Sequence, residues 1–166
     1  MNEITKEMFR HSDWATRQLL EACRGLSREQ LNTPYTGSYG SILSTFNHLI
    51  AADASYLNRL SGSERAAWID GDQTDDFDTL FAWADETANG WEQYLSQEID
   101  GAKVYQVDDG EFDVYARIII TQAIFHANIH REQICTTLTS YGIQPPDLQP
   151  WEYAWDTGQI WKSKNM

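Results

Sequence analysis

The sequence predicts an all-α fold, a four-helix bundle built as a single domain over residues 1–166. Three observations predict it. Four long segments carry apolar residues at the spacing of one helix face. Residues that start and stop helices flank those segments. Strand-like alternation is confined to one short stretch, too little to build a sheet-based fold.

The first helix runs from about Thr5 to Arg24, with Met8, Ser12, Ala15, Leu19 and Ala22 on its inner stripe. Gly25 is a C-cap candidate, and Ser27 with Gln30 reads as a capping box that opens a short turn of helix. NTPYTGSYG (32–40) is a polar loop rich in turn residues. Ser41 can cap a second long helix reaching about Leu60, striped by Ile42, Phe46, Leu49, Tyr56 and Leu60. Residues 61–76 form a polar connection with room for one helical turn at Glu64 to Trp68.

The third long helix runs from about Asp78 to Gln97 and opens on acidic residues, which suit the positive end of the helix dipole. KVYQVDDGEFDVY (103–115) alternates around Asp109-Gly110, a hairpin turn signal. The last long helix runs from about Tyr115 to Tyr141, with Gly142 at its end. The tail starts extended and Pro-rich, carries three Trp and has the pattern to close in a short helix. Trp151 and Trp155 are expected to seal apolar surface.

Composition narrows the function. Hydrophobic residues make up 42% and aromatics 13%, a globular composition and not a disordered one. The formal charge of −13 repels phosphates, so nucleic acid is not an expected partner. No apolar run approaches the ~18 residues that cross a bilayer. The first ten residues lack the apolar segment of an export signal. No membrane association and a cytoplasmic location are expected. In that compartment Cys23 and Cys135 are expected to be free buried thiols.

The chain has four histidines: His11, His48, His126 and His130. The last two stand four apart in the last long helix, on one face, where two imidazoles can converge on one ion. Neutral imidazole suits zinc, nickel, copper and iron. A third ligand must come from another element, and His48 lies midway along the second long helix. Three protein ligands would leave a position open for water or substrate, as catalytic metals require.

Gln122 and Gln133 share the histidine face and are candidates to hold the imidazoles' other N–H groups. A plainer reading stands beside this one. His pairs at this spacing also arise by chance. His48 lies about 100° off its stripe, among Ser41, Ser44, Ala51, Ala52 and Ser55, small residues that suit a pocket wall or a solvent-facing edge.

Other motifs exclude themselves. HANIH (126–130) lacks the glutamate of the His-Glu-x-x-His peptidases. DGDQTDDFD (70–78) resembles a calcium loop, but Asp75 stands at the turn glycine's place and Phe81 at the bidentate glutamate's. It reads as a solvated acidic loop.

Four segments together resemble the DinB-like superfamily of damage-inducible and YfiT-type metalloenzymes, unrelated to the DNA polymerase of that name. They are HSDWATRQLL (11–20), SILSTFNHLIAADASYL (41–57), the hairpin followed by HANIHREQI (126–134), and GIQPPDLQPWEY (142–153). Order and spacing carry the likeness over nearly the whole chain. Ile129 stands where relatives often have a further histidine, a position that is not a ligand.

The resemblance implies an up-down-down-up bundle, usually a homodimer, with His48, His126 and His130 as ligands of one divalent metal. Zinc or nickel come first and manganese or iron next. It also implies a thiol-dependent S-transferase using bacillithiol, mycothiol or a similar low-molecular-weight thiol, or a related isomerase or hydrolase.

His11 and Trp14 lie near the inner stripe of the first helix and are weighed as pocket residues, His11 also as a fourth ligand or general base. The plainer role is a polar contact at the core edge for His11 and packing for Trp14. Arg131 points about 100° away from the last ligand and suits an ion pair or an interface. Two rival functions stand: a non-enzymatic, stress-induced metal- or ligand-binding dimer whose metal is structural, and an interaction bundle without metal.

Overall fold

The computed structural model describes residues 3–62, 73–107 and 109–162. Four long helices carry the fold: α1 (Glu3–Cys23), α3 (Ile42–Ser61), α4 (Phe77–Leu95) and α5 (Ala116–Ser140). Three shorter pieces join them: α2 (Arg28–Asn32), a hairpin of β1 (Val104–Val107) and β2 (Phe112–Tyr115), and α6 (Pro150–Asp156) in the tail. The proposed turn at Glu64 to Trp68 lies outside the described residues.

Local chemistry sets the boundaries. Ser27 and Gln30 form the capping box at α2, with both reciprocal bonds present. The Ser41 hydroxyl accepts the Ser44 N–H and opens α3. Asp76 caps α4 by accepting the N–H groups of Asp78 and Thr79. At the end of α5, Gly142 takes a left-handed φ of 72°. Its N–H bonds the Thr139 carbonyl and that of Ile143 bonds the Leu138 carbonyl, so two end carbonyls are satisfied. Gly25 does not play this part, since its φ is not left-handed. Instead α1 ends in tight bonds, Arg24 N–H to Glu21 O and Leu26 N–H to Cys23 O.

Side-chain pairs fix the helix directions. Arg10, Arg17 and Arg24 meet Glu92, Asp85 and Asp78, so α1 and α4 are antiparallel. Tyr39, His48 and Tyr56 face Gln133, His126 and Gln122, so α3 and α5 are antiparallel. Phe46 meets Phe77 and Asp53 meets Trp91, so α3 and α4 run parallel. The order is therefore up-down-down-up, with each long helix packed on two others. The parallel pair approaches closely: a Cβ at Gly90 would meet Leu57 Cδ2 at 2.5 Å.

The core forms two clusters. One gathers around Leu19, Leu20, Phe46, Leu80, Ile134 and Leu138, the other around Phe9, Leu57, Trp91, Leu95 and Ile119. Tertiary packing corrects the α1 stripe. Ser12, Ala15 and Leu19 are inside as expected, joined by Phe9, Thr16, Leu20 and Cys23, while Met8 and Ala22 are exposed. Contact with two neighbours, α4 and α5, widens the buried face to one side of the stripe read along the sequence.

The tail is also corrected. Tyr153 is the buried residue of α6, while Trp151 is 70% exposed and Trp155 is exposed too. A seven-residue helix lying on a bundle buries one narrow face, and Tyr153 takes it. Cys23 is buried, Cys135 is half-buried, and both are free. Burial raises their thiols to about 12 and about 11, so both stay protonated.

Candidate metal centre

The α3–α5 interface brings three histidines together. His48 enters from α3, and His126 and His130 from successive turns of α5. His126 Nε2 lies 3.1 Å from His48 Nε2 and 3.1 Å from His130 Nε2. All three candidate ligand atoms fall within 4.8 Å of one another. Nitrogens about 2.05 Å from one ion at tetrahedral angles stand about 3.3 Å apart. Two of the three pairs have nearly that spacing.

The protonation pattern favours an ion further. The Tyr39 backbone N–H donates to Gln133 Oε1 at 3.1 Å, which fixes which end of the amide is oxygen. That oxygen also lies 2.8 Å from His130 Nδ1, so His130 must donate there. Its Nε2 then presents a lone pair to the cluster. One proton on His126 Nε2 can bridge to a single neighbour, whereas a cation would receive lone pairs from all three. The donor set therefore fits a divalent ion of the imidazole-binding kind.

Burial reinforces this. Desolvation first, and the neighbours His130 and His48 next, pull the His126 imidazole down to about 4. Burial, then His130, lowers His48 below its ordinary value. His126 and His48 are thus held neutral, the state in which imidazole binds metals. His126 Nδ1 is buried and has no hydrogen-bond partner among the described residues.

Two aromatic residues frame the cluster, and neither was singled out for the site from the sequence. Tyr39 stacks on His48 with centroids 3.9 Å apart and meets His130 edge-on at 5.3 Å. It remains 53% exposed, so it covers the centre from the solvent side. Its loop is closed by Ser38, whose hydroxyl donates to the carbonyls of Tyr35 and Gly40. A loop residue has no periodicity to betray it. Tyr56 sets its edge against His126 at 5.7 Å. It lies two turns after His48 on α3, a spacing that could have revealed it.

The other candidates separate. Gln133 bonds His130, whereas Gln122 donates to the Tyr56 hydroxyl at 3.5 Å. His11 stands apart from the cluster, because the tail claims it: its Nε2 bonds the Leu148 carbonyl at 2.8 Å. Trp14 also serves the tail, donating to Asp156 and meeting Tyr153 edge-on. Arg131 is buried between α5 and α1 and donates to Ser12 and Thr16. Among the described residues no Asp, Glu or Cys joins the three imidazoles.

These features define a helical bundle with a three-histidine centre framed by Tyr39 and Tyr56. Residues 1–163 match the model of the DinB family, and the chain belongs to that family. Two solved structures share its fold. One is YfiT from Bacillus subtilis, a probable metal-dependent hydrolase with an unusual four-helix bundle topology. It is 19% identical with a TM-score of 0.67, over 87% of this chain and 91% of its own. The other is a DinB-like protein from Bacillus cereus, 16% identical with a TM-score of 0.62, over 80% and 89%. No curated protein matches the chain. Among the described residues no helix is long and apolar enough to cross a membrane.

Proposed function

We propose that this chain is a divalent-metal-dependent enzyme acting on small molecules, with His48, His126 and His130 as the ligands of one ion. The observation that carries the reading is the convergence of three Nε2 atoms, one of them 3.1 Å from each of the others. When bound, such an ion acts as a Lewis acid and lowers the pKa of a thiol or water beside it. Gln133 orients His130, and Tyr39 shields one side of the centre while offering an aromatic face to a substrate.

The reaction we favour is thiol-dependent S-transfer, with bacillithiol or a similar low-molecular-weight thiol as cosubstrate. No carboxylate among the described residues joins the centre to serve as a general base. A thiol, ionising near 8.5, needs such a base far less than water does. Hydrolysis is the second reading, favoured by the likeness to YfiT, a probable metal-dependent hydrolase.

The partner we propose is a second copy. Ile118, Gln122, Phe125 and Ile129 form one stripe along α5, and its three apolar members are exposed, Phe125 by 61%. Such a repeat suits a helix seam between two chains. A Phe125→Glu variant should sediment as a monomer.

Elemental analysis and a thiol-transfer screen test the main reading. About one ion per chain and a rate that depends on the thiol are expected. Metal with no thiol dependence would move the reading to hydrolysis. A metal whose removal melts the bundle, with no reaction found, would make it structural. No metal after loading with zinc, nickel, manganese or iron would overturn the reading.

A further inference from the structure

Directly behind the metal-binding face lies a buried cation. Arg131 follows His130 in α5, points about 100° further round the helix, and is only 2% exposed. Its Nη1 donates to the Ser12 carbonyl at 3.0 Å, the Ser12 hydroxyl at 3.0 Å and the Thr16 hydroxyl at 3.1 Å. Burial lowers its pKa to about 10, so it stays charged at neutral pH. The nearby negative charges include Asp53 of α3 and Asp13 of α1. Asp53 in turn accepts the Trp91 indole N–H of α4 at 2.9 Å. All four long helices therefore bring a polar group to the surroundings of Arg131, α1 by hydrogen bonds and α3 by the charge of Asp53.

Stability does not explain such a buried charge. A well-packed apolar side chain of similar size usually serves a core as well as a buried ion or better. Directional bonds supply something an apolar contact does not, namely one allowed register. The three acceptors lie on one turn of α1, so they fix both the height and the rotation of α5. A slip of one residue would move α5 by about 1.5 Å and turn it by about 100°. Metal ligands tolerate only about 0.2 Å. His130 stands one residue before Arg131, and His48 stands five before Asp53. The Arg131 bonds thus tie the helix that carries His126 and His130 to α1, with the charge of Asp53 on α3 nearby.

We propose that Arg131 is a positioning residue for the three-histidine centre: its bonds to Ser12 and Thr16 lock the rotation of α5 so that His126 and His130 face His48. This rests on the reading of the three histidines as a metal site.

The test compares wild type, Arg131→Met and Arg131→Lys. It measures cobalt(II) and zinc affinity by competition titration, the visible absorption of the cobalt-loaded protein, and the melting temperature of the metal-free protein. Arg131→Met should melt at or above the wild-type temperature without metal, bind metal about 10- to 100-fold more weakly, and show an altered cobalt spectrum. Arg131→Lys, which keeps a charged donor, should recover part of the affinity.

Wild-type affinity and spectrum in Arg131→Met would overturn the proposal. So would an affinity loss that only follows a fall in melting temperature. If Arg131→Met does not fold, Ser12→Ala with Thr16→Val decides, with weaker metal binding expected and unchanged binding overturning the idea. If wild type itself binds no metal, the metal reading fails, an outcome distinct from a variant that binds normally.

Discussion

The α1–α4 and α3–α5 interfaces are both antiparallel helix pairs within one bundle, yet they use opposite chemistry. Between α1 and α4, Arg10, Arg17 and Arg24 rise in steps of seven and meet Glu92, Asp85 and Asp78, which descend in steps of seven. Each of the three arginines finds an opposite charge there, at sites that keep contact with water. Between α3 and α5, three imidazoles crowd together, Nε2 to Nε2, with no carboxylate among them in the described residues. The first interface pairs opposite charges. The second brings three imidazole nitrogens together where one proton can bridge only a single pair, and a divalent cation would satisfy all three. Self-sufficient charge marks a register device, and unmet donor capacity marks a site.

Removing an imidazole should break this contrast most sharply. His126→Ala should abolish stoichiometric metal by elemental mass spectrometry, a loss beyond the ~100-fold that outer partners cost. Gln133→Ala comes next, because it frees the His130 ring and leaves its N–H unmet. Metal affinity by competition titration should fall about 10- to 100-fold with the bundle intact.

Acid should then separate the interfaces by sign. His126 takes its proton near 4 in the folded chain and near 6.5 in the unfolded one. Between those values the unfolded chain holds more protons, so the metal-free protein loses stability on this account as pH falls. Asp13, beside Arg17 and Asp85, runs the other way. Burial first, with Asp85 adding to it, raises Asp13 to about 6 against an ordinary 3.8. From about 6 down to about 4 the folded chain binds that proton first, so acid stabilises through Asp13. Denaturation across this window should show a shallower loss in His126→Ala and a steeper one in Asp13→Asn.

The smallest effect belongs to the ladder. Arg17→Ala should cost under about 1 kcal/mol by urea denaturation, and less at high salt, as partly exposed pairs do.

Much of the fold was legible because its signals are local. Ser27, Ser41 and Gly142 act through bonds to residues within a few positions, so their roles follow from the chain. The stripe of α3 showed which face turns inward, and Asp109-Gly110 marked the hairpin between β1 and β2, both residues having positive φ. The charge ladder was less legible, since seven-residue spacing carries a message only once α1 and α4 are known to run antiparallel. Trp151 and Trp155 were misread because hydrophobicity does not say which side of a short helix meets the bundle.

By itself the sequence determined four amphipathic helices, their caps, the hairpin, and a pair of histidines on one turn-to-turn face, all consequences of backbone geometry and near neighbours. Tertiary structure alone decided the rest. It widened the buried face of α1, drew His11 to the tail, set Tyr39 over the cluster, and carried His48 across to His126 and His130. Those outcomes depend on how helices far apart in the chain pack and rotate against one another, and no local signal encodes that rotation.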